Sequence, residues 1–245
     1  YLALVTRSLG VENFGRFALV LSIGTAIVQF VQFECWQVVV RFGATHLHTE
    51  NRTALGRLVG ACQVFDVMGF LLGCGIAWLA TALLVHEGQW DASTSETAFL
   101  YCCVVLAAVR STPAGVLRLY NRFDLSIYAE TMVSICRMIG TGIVMLMGPS
   151  IDRFLVVWAL SEVCASITFW LLAYRLDPHS VSPRHALRVL STLKEEQGLP
   201  RFLLVTNLGT TLSGLAGQAP VLALGIFVSP ASAGRRSDAG NQRSE

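Results

Sequence analysis

Residues 67–85 read VMGFLLGCGIAWLATALLV, nineteen positions without a charge. A helix rising 1.5 Å per residue needs about 20 apolar residues to cross a hydrocarbon core of about 30 Å. No water reaches that core, so a spanning segment must satisfy its own backbone groups, and the stretch reads as a transmembrane helix. Working outward, the apolar run extends back to Leu58 with Asp66 as its one charge. Similar runs cover 17–40 with Glu34, 98–117 with Arg110 and Pro113, 127–147 with Glu130 and Arg137, 154–174 with Glu162, and 202–228 with no charge. Residues 1–6 read as the last turns of an earlier span. The expectation is an all-α, polytopic membrane protein with six complete transmembrane helices and the end of another. The chain opens on Tyr1 within an apolar run, without an initiator Met, and reads as a fragment.

Composition supports this class. Of 245 residues 53% are hydrophobic and 14% charged, where a soluble domain carries about a quarter charged residues. Too few charges remain to cover a soluble surface, which excludes an ordinary cytosolic enzyme, a nucleic-acid partner and a disordered chain. The formal charge of +2 is uninformative; the placement of the charges is not. Connections 41–58, 118–126 and 175–201 carry ten basic residues (Arg41, Arg52, Arg57, Arg118, Arg122, Arg175, Arg184, Arg188, Lys194 and Arg201). Connections 7–16, 86–97 and 148–153 carry three, Arg7, Arg16 and Arg153, and one of these loops is acidic through Glu87, Asp91 and Glu96. The positive-inside rule therefore places the first set in the cytoplasm.

Four regions follow: a first bundle over 1–174, a connector over 175–201, a further span over 202–228 and a polar tail over 229–245. In the connector Ser182-Pro183 reads as a helix start, and Gly198 with Pro200 as a stop. Ala186, Leu187, Leu190 and Leu193 line one face, while Arg184, Arg188 and Lys194 lie elsewhere. That describes an amphipathic helix on anionic lipid, with a solvated connector as the alternative. The tail has no apolar periodicity and puts Arg235, Arg236 and Arg243 on the outer side, against the charge rule; truncation or a change of reading frame would produce it.

Seven cysteines sit in or beside apolar stretches without a C-x-x-C pair, and read as small helix-surface residues. His46 and His48 lack the neighbours a metal site needs. Neither a nucleotide-phosphate loop nor a Ser/His/Asp set is legible, and no cofactor is expected. Pro113 predicts a kink or broken turn in its span. The five Trp read as interfacial or packing residues.

The intramembrane charges carry the functional signal, since each costs about 2.5–3.5 kcal/mol or more at depth. Arg110, Arg137 and Glu162 lie near the midplane; Asp66, Glu34 and Glu130 lie nearer the cytoplasm. Glu130 and Arg137, like Glu34 and Arg41, stand seven residues apart, about 10 Å along one face. Their partners must come from other helices or from a ligand. Either they are interhelical ion pairs, such as Asp66 with Arg110, or they line a site. Two Arg against one Glu at mid-depth give a positive interior, and guanidinium suits a phosphorylated head group. Asp66 or Glu162 could take up H⁺ or Na⁺.

Leu4-Val5-Thr6-Arg7-Ser8-Leu9-Gly10-Val11-Glu12-Asn13-Phe14-Gly15-Arg16-Phe17-Ala18 resembles the segment joining the first two spans of bacterial polysaccharide biosynthesis flippases. Arg41-Phe42-Gly43-Ala44, residues 207–225 and Ser229-Pro230-Ala231-Ser232-Ala233-Gly234 follow in the same order. The resemblance implies the multidrug/oligosaccharidyl-lipid/polysaccharide exporter superfamily, whose members have twelve to fourteen spans in two bundles around a central cavity. This chain would be the first bundle, less most of one helix, plus the first helix of the second. It departs from the pattern where the tail stands in place of further helices. The implied function is translocation of a polyprenyl-diphosphate-linked oligosaccharide across the bacterial inner membrane for O-antigen, capsule or exopolysaccharide. Arg110 and Arg137 would then bind the diphosphate, with Asp66, Glu162, Glu130 and Glu34 as coupling or cavity residues. A cation-coupled multidrug antiporter would depend on Asp66 or Glu162 instead. A multi-span polymerase or ligase would usually need a long outer loop, which is lacking here.

Overall fold

Backbone amides that cannot reach water pair within their own segment, and each apolar run in this chain accordingly folds as a helix. A computed structural model describes residues 2–86, 92–182, 192, 198–214 and 216. The helices are α1 Leu2–Val31, α2 Cys35–His48, α3 Arg52–His86, α4 Ala92–Ala107, α5 Ser111–Leu119, α6 Phe123–Met147 and α7 Ile151–Leu176. A further helical stretch covers 199–214. Among the described residues there is no strand.

Five segments are long and apolar enough to cross a bilayer: Asn13–His48, Arg52–His86, Ser95–Leu119, Phe123–Met147 and Ile151–Leu176. They match five of the six expected spans. The sixth is described only as far as 216. Most of the connector helix expected from Ser182-Pro183, residues 87–91 of the acidic loop and the whole tail lie outside the described residues.

Two spans are broken rather than continuous. The expected kink near Pro113 is a full interruption at 108–110, which separates α4 from α5. The run over 17–40, expected to be one helix, breaks at 32–34 between α1 and α2. Residues 7–16, expected as a loop, are helical with one interruption at Gly10 (φ 76°, ψ 168°). A side chain would strain that backbone, and glycine accepts it. Val5, before the interruption, and Phe17, after it, both enter the same core.

That core has two main apolar layers. Phe17, Val20, Leu106, Phe154 and Trp158 belong to the first, at the end holding the second half of α3 and the start of α7. Val38, Leu55, Leu58, Val116, Leu199 and Leu203 belong to the second, at the opposite end. The broken segments 32–34 and 108–110 fall between the layers, together with Asp66 and Glu162. Outside, α3 turns Val67, Leu71, Trp78 and Leu83 outward, and α6 turns Ile127, Met138, Ile139 and Leu146 outward. A surface this apolar suits acyl chains.

The connections expected on one side do meet at one end. The Asp177 side chain, 2% exposed, accepts from Tyr120 Oη at 2.6 Å and Arg52 Nη1 at 3.4 Å, tying the ends of α7, α5 and α3. Arg41 lies 4.5 Å from the centre of the Phe202 ring, and Arg118 lies 4.0 Å from that of Trp36, both in cation–π range.

Candidate functional site

The broken spans face each other. Half-helices α2 and α5 pack side by side because Gly115 carries no side chain: a Cβ there would stand 2.8 Å from Trp36 Cα and 2.9 Å from Val39 Cβ. Trp36 N–H donates to Ser111 Oγ at 3.2 Å, joining the two half-helices just past the breaks. Interrupted backbone is tolerated at membrane depth only where other groups satisfy it. Here Val109 C=O accepts from Ser166 Oγ at 2.7 Å and Trp170 Nε1 at 3.0 Å, both from α7. Glu34 N–H donates to Asn207 Oδ1 at 3.0 Å, and Thr211 Oγ1 donates to Gln29 C=O at 3.2 Å, so 199–214 docks on the first break.

Between the breaks lies a cavity of about 350 Å³, lined by Thr25, Gln29, Gln32, Glu34, Asp66, Arg110, Glu162 and Thr210 among others. A second, more apolar cavity of about 700 Å³ is lined by Gln63, Phe70, Val109, Trp170 and Tyr174. Asp66 contributes to both walls. The N-terminal ends of α2 and α5 open at the first cavity, where Glu34 and Arg110 are their cap residues. Each such end carries a partial positive charge.

All six expected site residues lie at or beside this layer, but in a different grouping from the simplest reading. Glu162 bridges both arginines: its Oε1 accepts from Arg137 Nη2 at 2.7 Å, and its Oε2 lies 3.2 Å from Arg110 Nη1. Arg137 is held further by Ser161 Oγ at 3.1 Å and by the Trp158 ring at 5.1 Å. It therefore stands behind Glu162 and is not part of the cavity lining. Glu130 Oε2 is 3.9 Å from Arg110 Nη1 and is likewise outside the lining. Asp66 and Arg110 do not pair. Asp66, 6% exposed, accepts from Thr112 Oγ1, and so ties α3 to the first turn of α5. Glu34 accepts from Trp36 Nε1.

These contacts change the charge balance. The positive interior expected from two Arg and one Glu becomes two arginines facing two carboxylates, with Asp66 and Glu34 close by on polar donors. Sequence reasoning missed Thr112, Ser161 and Asn207, and also Ser166 and Trp170 of α7, which take up the Val109 carbonyl. The first break was not foreseen either; the polar residues Gln29, Gln32 and Glu34 inside an apolar run are the one local feature that could have marked it.

No family model matches the chain, and no solved structure matches it. Over 224 residues it is 25% identical to the inner membrane protein YghQ of Escherichia coli strain K12, covering 90% of this chain. The chain spans about 62% of the length of that relative. Spans and relative agree on location. The chain is a multi-pass inner-membrane protein. Arg110 and the two opposed helix breaks thus lie at membrane depth, where irregular backbone is found only against protein or a cavity.

Proposed function

We propose that the chain is the first bundle of a secondary transporter, and that the cavity between the two broken spans is its substrate site. The observation that carries this is the pair of half-helix N-termini meeting at a polar layer between two apolar ones. Discontinuous helices whose positive ends point at a midplane site are the usual arrangement for binding anionic substrate groups in transporters. The best-supported substrate is a lipid-linked oligosaccharide carrying a diphosphate, as the resemblance to polysaccharide flippases implies. Arg110 is the contact residue, because it alone among the described arginines lines the cavity. Arg137 holds Glu162 in place. In the full-length protein Arg110→Ala should abolish surface polysaccharide at unchanged protein level; full retention of polysaccharide would overturn the assignment.

A second reading draws on the three carboxylates that line the cavity, Glu34, Asp66 and Glu162, against the single Arg110. That lining suits H⁺ or Na⁺ and would serve a cation-coupled antiporter. In that case Asp66→Asn would sensitise cells to toxic cations while surface polysaccharide stays normal.

A further inference from the structure

Resting on the substrate reading above, we infer that Glu130 is a displaceable counter-ion: it neutralises Arg110 in the empty site and yields its place to the incoming phosphate group. The four charges of the cluster are held unequally. Glu162 is 15% exposed and uses one oxygen for each arginine. Arg137 is 18% exposed and is bound by Glu162, Ser161 and Trp158 together. Neither can leave without stranding the other in a poorly solvated place.

Arg110 is different. Its Nη1 has carboxylate oxygens at 3.2 and 3.9 Å, yet makes no hydrogen bond of acceptable geometry. This guanidinium has charge partners but unfilled directional capacity, which phosphate oxygens would fill bidentately. Glu130 is the loose member: its side chain is 58% exposed and its ion pair with Arg110 is the long one. Glu162 is shared between the two arginines, so Glu130 supplies the second negative charge that balances them. A phosphate arriving at Arg110 meets a like charge there until that side chain swings away, and Glu130 has the exposure to do so.

The test is titration of the purified full-length protein in detergent with inorganic pyrophosphate. Glu130 is more than half exposed, and removing so weakly held a competing charge should tighten binding about two- to fivefold. Glu130→Gln is therefore expected to bind pyrophosphate about two- to fivefold more tightly than the wild type, Glu130→Asp to resemble the wild type, and Arg110→Ala to lose binding. Glu130→Ala gives the same test where the glutamine amide itself occupies Arg110. If Glu130→Gln and Glu130→Ala bind no more tightly than wild type while Arg110→Ala still loses binding, the counter-ion role is overturned and the substrate reading stands. If Arg110→Ala binds as wild type does, both fall.

Discussion

Glu162 and Glu130 are both carboxylates beside Arg110, and their difference in setting predicts a difference in consequence. Replacing Glu162 by Gln leaves two arginines short of their shared partner, and breaking a buried pair costs about 3 kcal/mol or more. Both arginines keep some exposure, so about 2–3 kcal/mol is the expected loss, read as a lower unfolding midpoint in detergent. The Glu130→Gln change should cost less than about 0.5 kcal/mol, as for an exposed pair. Equal losses would show that the two carboxylates are equally held. None of this was legible from residue spacing. The sequence places Arg137 and Glu162 at similar depths, but whether they meet depends on the rotation of α6 against α7. That rotation is set by packing such as Val144 with Phe154 and Trp158.

The lengths of the spans were legible, because crossing a bilayer requires apolar runs and little else produces them. The breaks were legible only in part. Pro113 removes a backbone donor and marked one of them. The other contains neither Pro nor Gly: Gln32-Phe33-Glu34 is interrupted by what surrounds it, with Asn207 and Ser111 taking up backbone N–H groups at and just past the break. Such partners come from residues 75 to 173 positions away and leave no local trace. The tight meeting of α2 and α5 can be tested directly. Gly115→Ala sets a methyl against Trp36 Cα and Val39 Cβ, which have little room to move. The expected loss is about 1–3 kcal/mol, read from thermal unfolding, and a stability equal to wild type would contradict the close approach.

For the whole molecule, Asp177 is the joint that gathers three helix ends and the start of the connector. Burial by itself would raise its pKa, but hydrogen bonds from Ser180 and Tyr120 and the Arg52 charge bring it below the ordinary aspartate value. A depressed pKa adds stability above the unfolded value of about 3.9, and that stability is lost as pH falls through the folded value. Burial and the Asp177 hydrogen bond push the Tyr120 phenol up to about 12, so it stays a donor throughout the acid range. Unfolding midpoints measured from neutral pH down to about pH 3 should fall more for wild type than for Asp177→Asn; parallel curves would remove Asp177 from the acid response. The nine residues of α5, held by Asp66 at one end and by Asp177 at the other, also bear on how the chain enters the bilayer. At 1.5 Å per residue this half-helix reaches less than halfway across the hydrocarbon, and it begins beside an arginine. Leaving the translocon alone, the segment would expose both the guanidinium and the Val109 carbonyl to lipid. Glu162, Ser166 and Trp170, which relieve them, are made more than fifty residues later, so the span formed by α4 and α5 completes its integration only when α7 has been synthesised.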